Sequence, residues 1–395
     1  MPHFAPFPGI RYAEDDLDLV TAPPYDVIDA ALRASLAARH PHNAVHIDLP
    51  VDGGDPYAEA GLRLERWRRD GVLTTDDSSL YLYRMRYADE LGRSHDTLGV
   101  IGALGIEAPG AGDVLPHEHT TPKAASDRLQ LLRGTAANLS PIWGLSLARG
   151  LSMLLDVDAA VPLGAWHDAD AVEHALWRID DAAATAAIAA AVSSAPVVIA
   201  DGHHRYETSR QYRDERRASA DGAAGAYDAT LCFVVELIDD QLTVQPIHRL
   251  LEGLPEHADV AGALAATFAV GELEPLPDAT VTDRLVADEA LALVTADGLR
   301  TLTPRPEALG DVADLDSARL DVGLRALPEH RLRFQHGVEN VVRAVSSGEV
   351  QAGVLLRPVS VDRIQATAHA RGKMPPKSTF FWPKPRTGTV FRSLT

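Results

Sequence analysis

The chain has 395 residues, with 37 Lys and Arg against 56 Asp and Glu, for a formal net charge of −19. So negative a surface repels phosphate backbones and anionic lipid heads, which excludes nucleic acid and membrane surfaces as partners unless a local basic patch overrides the field. The 46% apolar and 24% charged residues fit a folded, soluble chain of two lobes, and the single cysteine, Cys232, forms neither an internal disulfide nor a Cys-rich zinc site.

In chain order, the first twenty residues carry Glu14, Asp15, Asp16 and Asp18 and no apolar h-region, so nothing resembles a secretory signal. A helix is expected over 30–39 with Asp29 as its N-cap, and another over 58–69 with Leu62, Leu64 and Trp67 on its apolar side. Residues 80–87 alternate as a strand and turn at 88–92 into a second strand at Val100-Ile101. Helices are expected at 127–133 and 182–192, with a strand at 172–179 between them; the 182–192 run is Ala-rich and too short to span a bilayer. The chain therefore reads as cytosolic. Pro196 opens a fully apolar strand, Val197 to Ala200, of the kind buried on both faces, and a polar helix follows over 205–217. Segments 231–238 and 242–244 flank Asp239-Asp240 as a hairpin, with Cys232 a buried, inert thiol in the first of them. Beyond residue 255 the pattern predicts a helix at 260–268, a hairpin of 291–295 with 299–302, a helix at 338–345, a strand at 352–356 and a helix at 361–370 capped by Ser360. The tail 373–395 is rich in Pro, Lys and Arg, and its aromatic run Phe380-Phe381-Trp382 argues that it packs back on the body. The expected fold is mixed α/β, with a main lobe over 1–250, a smaller α/β lobe over 251–357, and a final helix and tail over 358–395.

Chemistry concentrates at Asp201-Gly202-His203-His204-Arg205, where a buried strand hands over to a helix. The first N–H groups of a helix are unpaired and carry partial positive charge. A glycine there lets the backbone approach an anion, and Arg205 with two imidazoles adds donors that suit phosphate oxygens. Asp201 is placed to hold Mg2+ through oxygen ligands or to orient a histidine. The structural alternative is an N-cap followed by exposed histidines. A second cluster, Pro116-His117-Glu118-His119, precedes Lys123 and Asp127-Arg128. It lacks the H-E-x-x-H zinc-protease spacing, but Glu118 between two imidazoles would serve as a general base, or else as an ordinary acid in a solvated loop. Pro23-Pro24-Tyr25-Asp26 is a rigid turn, structural or functional. His248-Arg249 offers a cation pair for a carboxylate or phosphate, and Lys377, Lys384 and Arg386 form a local basic patch that either docks on the acidic body or closes over an anionic ligand.

Seven segments carry a resemblance: PPYDVI at 23–28, PHEHT at 116–120, DRLQLLRGTAANLSPI at 127–142, IADGHHRYET at 199–208, PIHRL at 246–250, MPPKSTFFWPK at 374–384 and TGTVFR at 387–392. In this order they resemble the bacterial and archaeal family catalogued as domain of unknown function 1015, which by itself names no reaction. The succession of P-H-E, R-L, P-I and D-G-H-H-R is also similar to the ParB/sulfiredoxin superfamily, whose free-serine kinase branch keeps a D-G-H-x-R turn and an upstream glutamate. That resemblance implies a ParB/sulfiredoxin-like core over about 95–250, interrupted by an insertion between Ile142 and Val197. It implies that Gly202, His203, His204 and Arg205 hold the phosphates of a nucleotide, ADP or ATP, with Mg2+ assisted by Asp201. Glu118 would be the catalytic base, Asp201 and His204 would assist, and His117, His248, Arg249 and Lys377 would bind the acceptor. The implied activity is phosphoryl transfer to a small hydroxylated metabolite, free serine first. Nucleotide or phosphoester hydrolysis, a non-enzymatic nucleotide sensor and, more distantly, a histidine-based zinc hydrolase are the alternatives. The sequence is silent on oligomeric state.

Overall fold

The computed structural model describes residues 1–14, 16–51, 54–108, 110–116, 125–157, 160–255, 257–310, 312–375 and 377–395. The protein is mixed α/β, built on a twelve-stranded mixed sheet and a six-stranded one. In the large sheet the path runs Val114–Pro116, Val197–Asp201, Ile142–Ser146, Ala229–Glu236, Ser94–Gly105, Leu73–Ala88, Phe7–Tyr12, Phe391–Ser393, Ala137–Asn138. Side chains alternate along each strand, so the two faces build separate cores. Tyr81, Tyr83 and Met85 enter one with Phe233 and Trp143, while Leu80 and Leu82 enter the other with Val100, Val197 and Ile199.

Several local expectations hold. The helix Ala30–Arg39 starts where Asp29 accepts the Leu32 N–H at 2.8 Å, a cap worth about 1 kcal/mol, and the helix Val361–His369 is capped by Ser360. The strands Leu291–Thr295 and Gly298–Pro304 pair as the expected hairpin, in a sheet that also holds His248–Glu252, Ala352–Leu355, Arg331–Gln335 and Phe268–Val270. This sheet buries Val341 and Val345 of the helix Val338–Ser346 on one face and Leu264 and Leu320 on the other.

Two expectations are corrected. Segments 231–238 and 242–244 do not form a hairpin. Both edges of Ala229–Glu236 are taken by Ser94–Gly105 and Ile142–Ser146, so Thr243–Gln245 pairs instead with Phe380–Trp382. The helix expected at 260–268 stops at Leu264, and Phe268 begins a strand against Gly298–Pro304. The tail does return to the body, and it does so as sheet: Phe391–Ser393 inserts between Phe7–Tyr12 and Ala137–Asn138. Among the described residues no helix is long and apolar enough to cross a membrane.

Candidate functional site

The strand Val197–Asp201 lies between Ile142–Ser146, antiparallel, and Val114–Pro116, parallel. It ends at Asp201. Gly202 then takes φ 88° and ψ 26°, a left-handed conformation that admits an L side chain only under strain, and the 17-residue helix His203–Ser219 begins. A Cβ at Gly202 would meet both the Arg205 guanidinium and Ile142 at 3.0 Å, so this turn needs the glycine for space as well as for its backbone angles.

Arg205 folds back over the turn. Its Nη2 donates to Asp201 Oδ2 at 2.6 Å, and its Nη1 donates to Ser140 Oγ at 3.0 Å and to the Pro141 carbonyl. The other carboxylate oxygen of Asp201 accepts Lys384 Nζ at 2.8 Å, and the same ammonium pairs with Asp26. Burial works to raise the Asp201 pKa, but the charges of Lys384 and Arg205 outweigh it and hold the carboxyl at about 2. Burial likewise opposes the charge on Lys384, and Asp201 and Asp26 overcome it. The tail, the early Tyr25–Asp26 turn and the Asp201–Arg205 turn are thus tied together by one buried ammonium.

Beside this knot lies a small cleft of about 40 Å³ lined by Tyr25, Asp48, Arg128, Ser140, Arg205 and Thr208, with apolar walls from Leu131 and Leu139. Arg128 donates to Asp48 Oδ1 at 3.1 Å and to the Asp48 carbonyl at 2.9 Å, pairs with Asp127 at 2.6 Å, and sits 4.4 Å over the ring of Tyr25. Burial raises the Asp48 pKa against the pull of Arg128 and Arg205. Two polar atoms in this cleft are buried without a hydrogen-bond partner among the described residues: the Nε of Arg205 and Oδ2 of Asp48. An orphaned donor and an orphaned acceptor are costly in a closed core, and water or a ligand can satisfy them.

Side chains from distant segments meet next to the knot. The His204 pKa is lowered by burial and then by Lys377, with Asp26 opposing. His336, which follows the strand Arg331–Gln335, is lowered to about 4 by burial and then by Lys377 and Lys384, and its ring lies 3.9 Å from that of Phe380. His203 is close enough to Asp201 to help lower its pKa.

The residues singled out from sequence fare differently. Asp201, Gly202, His203, His204 and Arg205 sit together at the turn, and Lys377 reaches the same junction. His117 and Glu118 lie outside the described residues. Both ends of that segment are anchored here: Pro116 pairs in parallel with Ile199, two residues before Asp201, and Arg128 follows in the next helix. His248 is fully buried, its Nδ1 accepts the Leu356 N–H at 3.2 Å, and burial followed by the charges of His336 and Arg249 lowers its pKa to about 3. Arg249 donates to the carbonyls of Ile247 and Lys377, the latter at 3.0 Å, and lies 4.7 Å from the ring of Phe334. Arg249 thereby holds the Lys377 backbone.

Asp201 does not fit a resident Mg2+. Both of its oxygens already face cations, and a divalent ion there would have to displace Lys384 or Arg205. Its work is to hold those two cations in place. Sequence reasoning missed Asp48, Arg128, Ser140 and the Lys384 bridge as site residues. Arg128 and Ser140 stand in segments already noted as motifs, whereas Asp48 sits in an unremarkable short helix and gave no local signal.

Comparison with solved structures finds a free serine kinase mutant in complex with AMP at 14% identity and TM-score 0.40, covering 71% of this chain and 89% of that one. A conserved hypothetical protein from Pyrococcus furiosus matches at 14% identity and TM-score 0.37, covering 69% of this chain and 90% of that one. SbnI from Staphylococcus aureus, truncated at its C-terminus, matches at 12% identity and TM-score 0.40, covering 73% and 85%. No curated protein matches the chain. The family model described as "Protein of unknown function (DUF1015)" matches residues 4–323, spanning the Asp26, Asp48, Arg128 and Asp201–Arg205 cleft, and the chain belongs to that family.

Proposed function

We propose that the cleft binds the phosphates of a nucleotide and that the protein transfers a phosphoryl group to a small hydroxylated metabolite, free serine being the leading acceptor. The observation that carries this reading is the unpartnered, buried Nε–H of Arg205 at the start of a long helix, with Arg128 on the same cleft. A phosphate oxygen supplies the missing acceptor, and the first N–H groups of the helix and the αL glycine suit the same anion. Asp48 keeps Arg128 on the same cleft through its ion pair.

Serine is chosen on the D-G-H-x-R resemblance, supported by His204 and the cation Lys377 beside the Asp201–Arg205 turn, which suit a carboxylate next to a hydroxyl. Glu118 takes the proton of that hydroxyl. The hydroxyl oxygen bonds to the transferred phosphorus as the bond from phosphorus to the bridging oxygen breaks, and the nucleotide leaves one phosphate shorter. Arg205 and Arg128 stabilise the charge that moves onto the phosphoryl oxygens. Mg2+ enters with the nucleotide as part of the substrate and no resident metal is required.

The test is titration calorimetry with ADP and ATP in Mg2+, followed by turnover assays with serine and related hydroxy acids. Arg205→Ala is expected to weaken nucleotide binding roughly 10–100-fold, the worth of a charge-assisted contact. Glu118→Gln is expected to keep binding and lose turnover. Absence of any nucleotide binding by the wild type refutes the reading. Phosphate released without an acceptor would make the protein a hydrolase, and tight binding without turnover on any acceptor would make it a sensor.

A further inference from the structure

Away from the phosphate cleft, Glu14, His40 and His42 bring a carboxylate oxygen and one nitrogen of each imidazole within 4.8 Å of one another. Glu14 follows the strand Phe7–Tyr12, and the two histidines lie on the short turn between the helices Ala30–Arg39 and Val45–Asp48. The Nδ1 of His42 is buried without a hydrogen-bond partner among the described residues and stands 3.6 Å from Glu14 Oε1. Four-coordinate ligands about 2.0–2.1 Å from a metal lie roughly 3.3 Å apart, so this pair needs little movement to share an ion.

The rings are held before any ion arrives. His42 meets Trp67 edge-on at 5.6 Å and His40 at 5.2 Å. Its carbonyl accepts the Tyr12 hydroxyl at 2.8 Å, and its main-chain N–H donates to His40 Nδ1 at 3.2 Å. The neighbouring cation in sequence, Arg39, is paired with Asp18, which offsets its repulsion of a cation at the turn.

We propose that Glu14, His40 and His42 form a binding site for a divalent first-row transition metal, with the remaining coordination positions filled by water. Two imidazoles and one carboxylate favour Zn2+, Co2+ or Ni2+ over Mg2+ and Ca2+, which take all-oxygen sets. The ion fastens the chain after the first long strand to the turn that leads into the Asp48 helix. The site is independent of the phosphate-binding reading.

The experiment uses the full chain stripped of metal and titrated with Co2+, read by its visible absorption, and with Zn2+, read by thermal unfolding. The wild type is expected to bind one Co2+ per chain with intense bands of low coordination number, and Zn2+ is expected to raise its unfolding temperature. Removing a ligand costs at least as much as removing a group that orients one, so Glu14→Gln and the double variant His40→Gln, His42→Gln are each expected to weaken Co2+ at least roughly 10–100-fold. Circular dichroism of the metal-free variants checks their folding, and Glu14, at the surface, supplies the variant that leaves the packing of Trp67 intact. A wild type that binds neither ion overturns the proposal. So do variants that are folded and bind Co2+ with unchanged affinity and spectrum.

Discussion

Replacing Lys384 by Met removes the ammonium that joins three distant segments while keeping most of the side-chain volume. Lys384 is 9% exposed, with Nζ 2.8 Å from Asp201 and also paired to Asp26. At an effective dielectric constant of 20, a pair at that distance is worth about 6 kcal/mol before desolvation, and desolvating the ammonium takes back several kcal/mol. The net worth of the bridge against an apolar replacement is therefore small, but the methionine leaves two carboxylates behind. Breaking a buried pair from one side costs about 3–5 kcal/mol, and Lys384→Met is expected to lose that much at pH 7. Adding Asp26→Asn should return part of it, because one stranded charge disappears. The pH dependence has a definite sign. Asp201 has a folded pKa of about 2 against an ordinary value of 3.8, so its stabilisation is complete above about pH 4 and fades as the pH falls towards 2. That contribution, roughly 2 kcal/mol, should shrink in Lys384→Met as the Asp201 carboxyl moves back up. Urea denaturation of the wild type, the single variants and the double variant measures all of this. A Lys384→Met protein within about 1 kcal/mol of the wild type, with no coupling to Asp26→Asn, would refute the bridge.

Gly202→Ala is expected to cost about 1–2 kcal/mol from its φ of 88° alone, and to displace Arg205, whose Nε lies 3.0 Å from the new Cβ. Denaturation reads the first effect and nucleotide titration the second; unchanged binding would show that the ligand does not need the Arg205 position seen here. His248 and His336, lowered to about 3 and about 4, bind protons in the unfolded chain before they do in the folded one. Stability should therefore be full above pH 6.5 and fall as the pH drops below it, and His248→Asn should flatten that slope, measured as unfolding free energy against pH. A slope unchanged by the substitution removes His248 as a contributor.

Local chemistry wrote much of this protein openly. The Asp29 and Ser360 caps, the Leu291–Thr295 hairpin and the strand-to-helix turn at Asp201–Arg205 each depend on neighbours a few residues apart, and each was legible. The false hairpin at 231–244 shows the limit of that reading. A polar pair between apolar runs is a turn signal, but it cannot tell whether the edges of the first strand are already taken. The same limit hid the site. Tyr25, Asp48, Arg128, Ser140 and Lys384 come from four segments, and only the sheet that threads Phe391–Ser393 beside Phe7–Tyr12 carries the tail back to the Asp201 turn.

By itself the sequence determined the mixed α/β class, the net charge of −19 and the glycine turn between a buried strand and a helix. The tertiary structure decided which charges face that turn. It tied Asp201 to Lys384 and Arg205, and it brought Arg249 to the Lys377 carbonyl. The reason is physical: backbone propensity and capping act over a few residues, whereas the charge on a buried group is set by whatever the fold places within a few ångströms of it, at any distance along the chain.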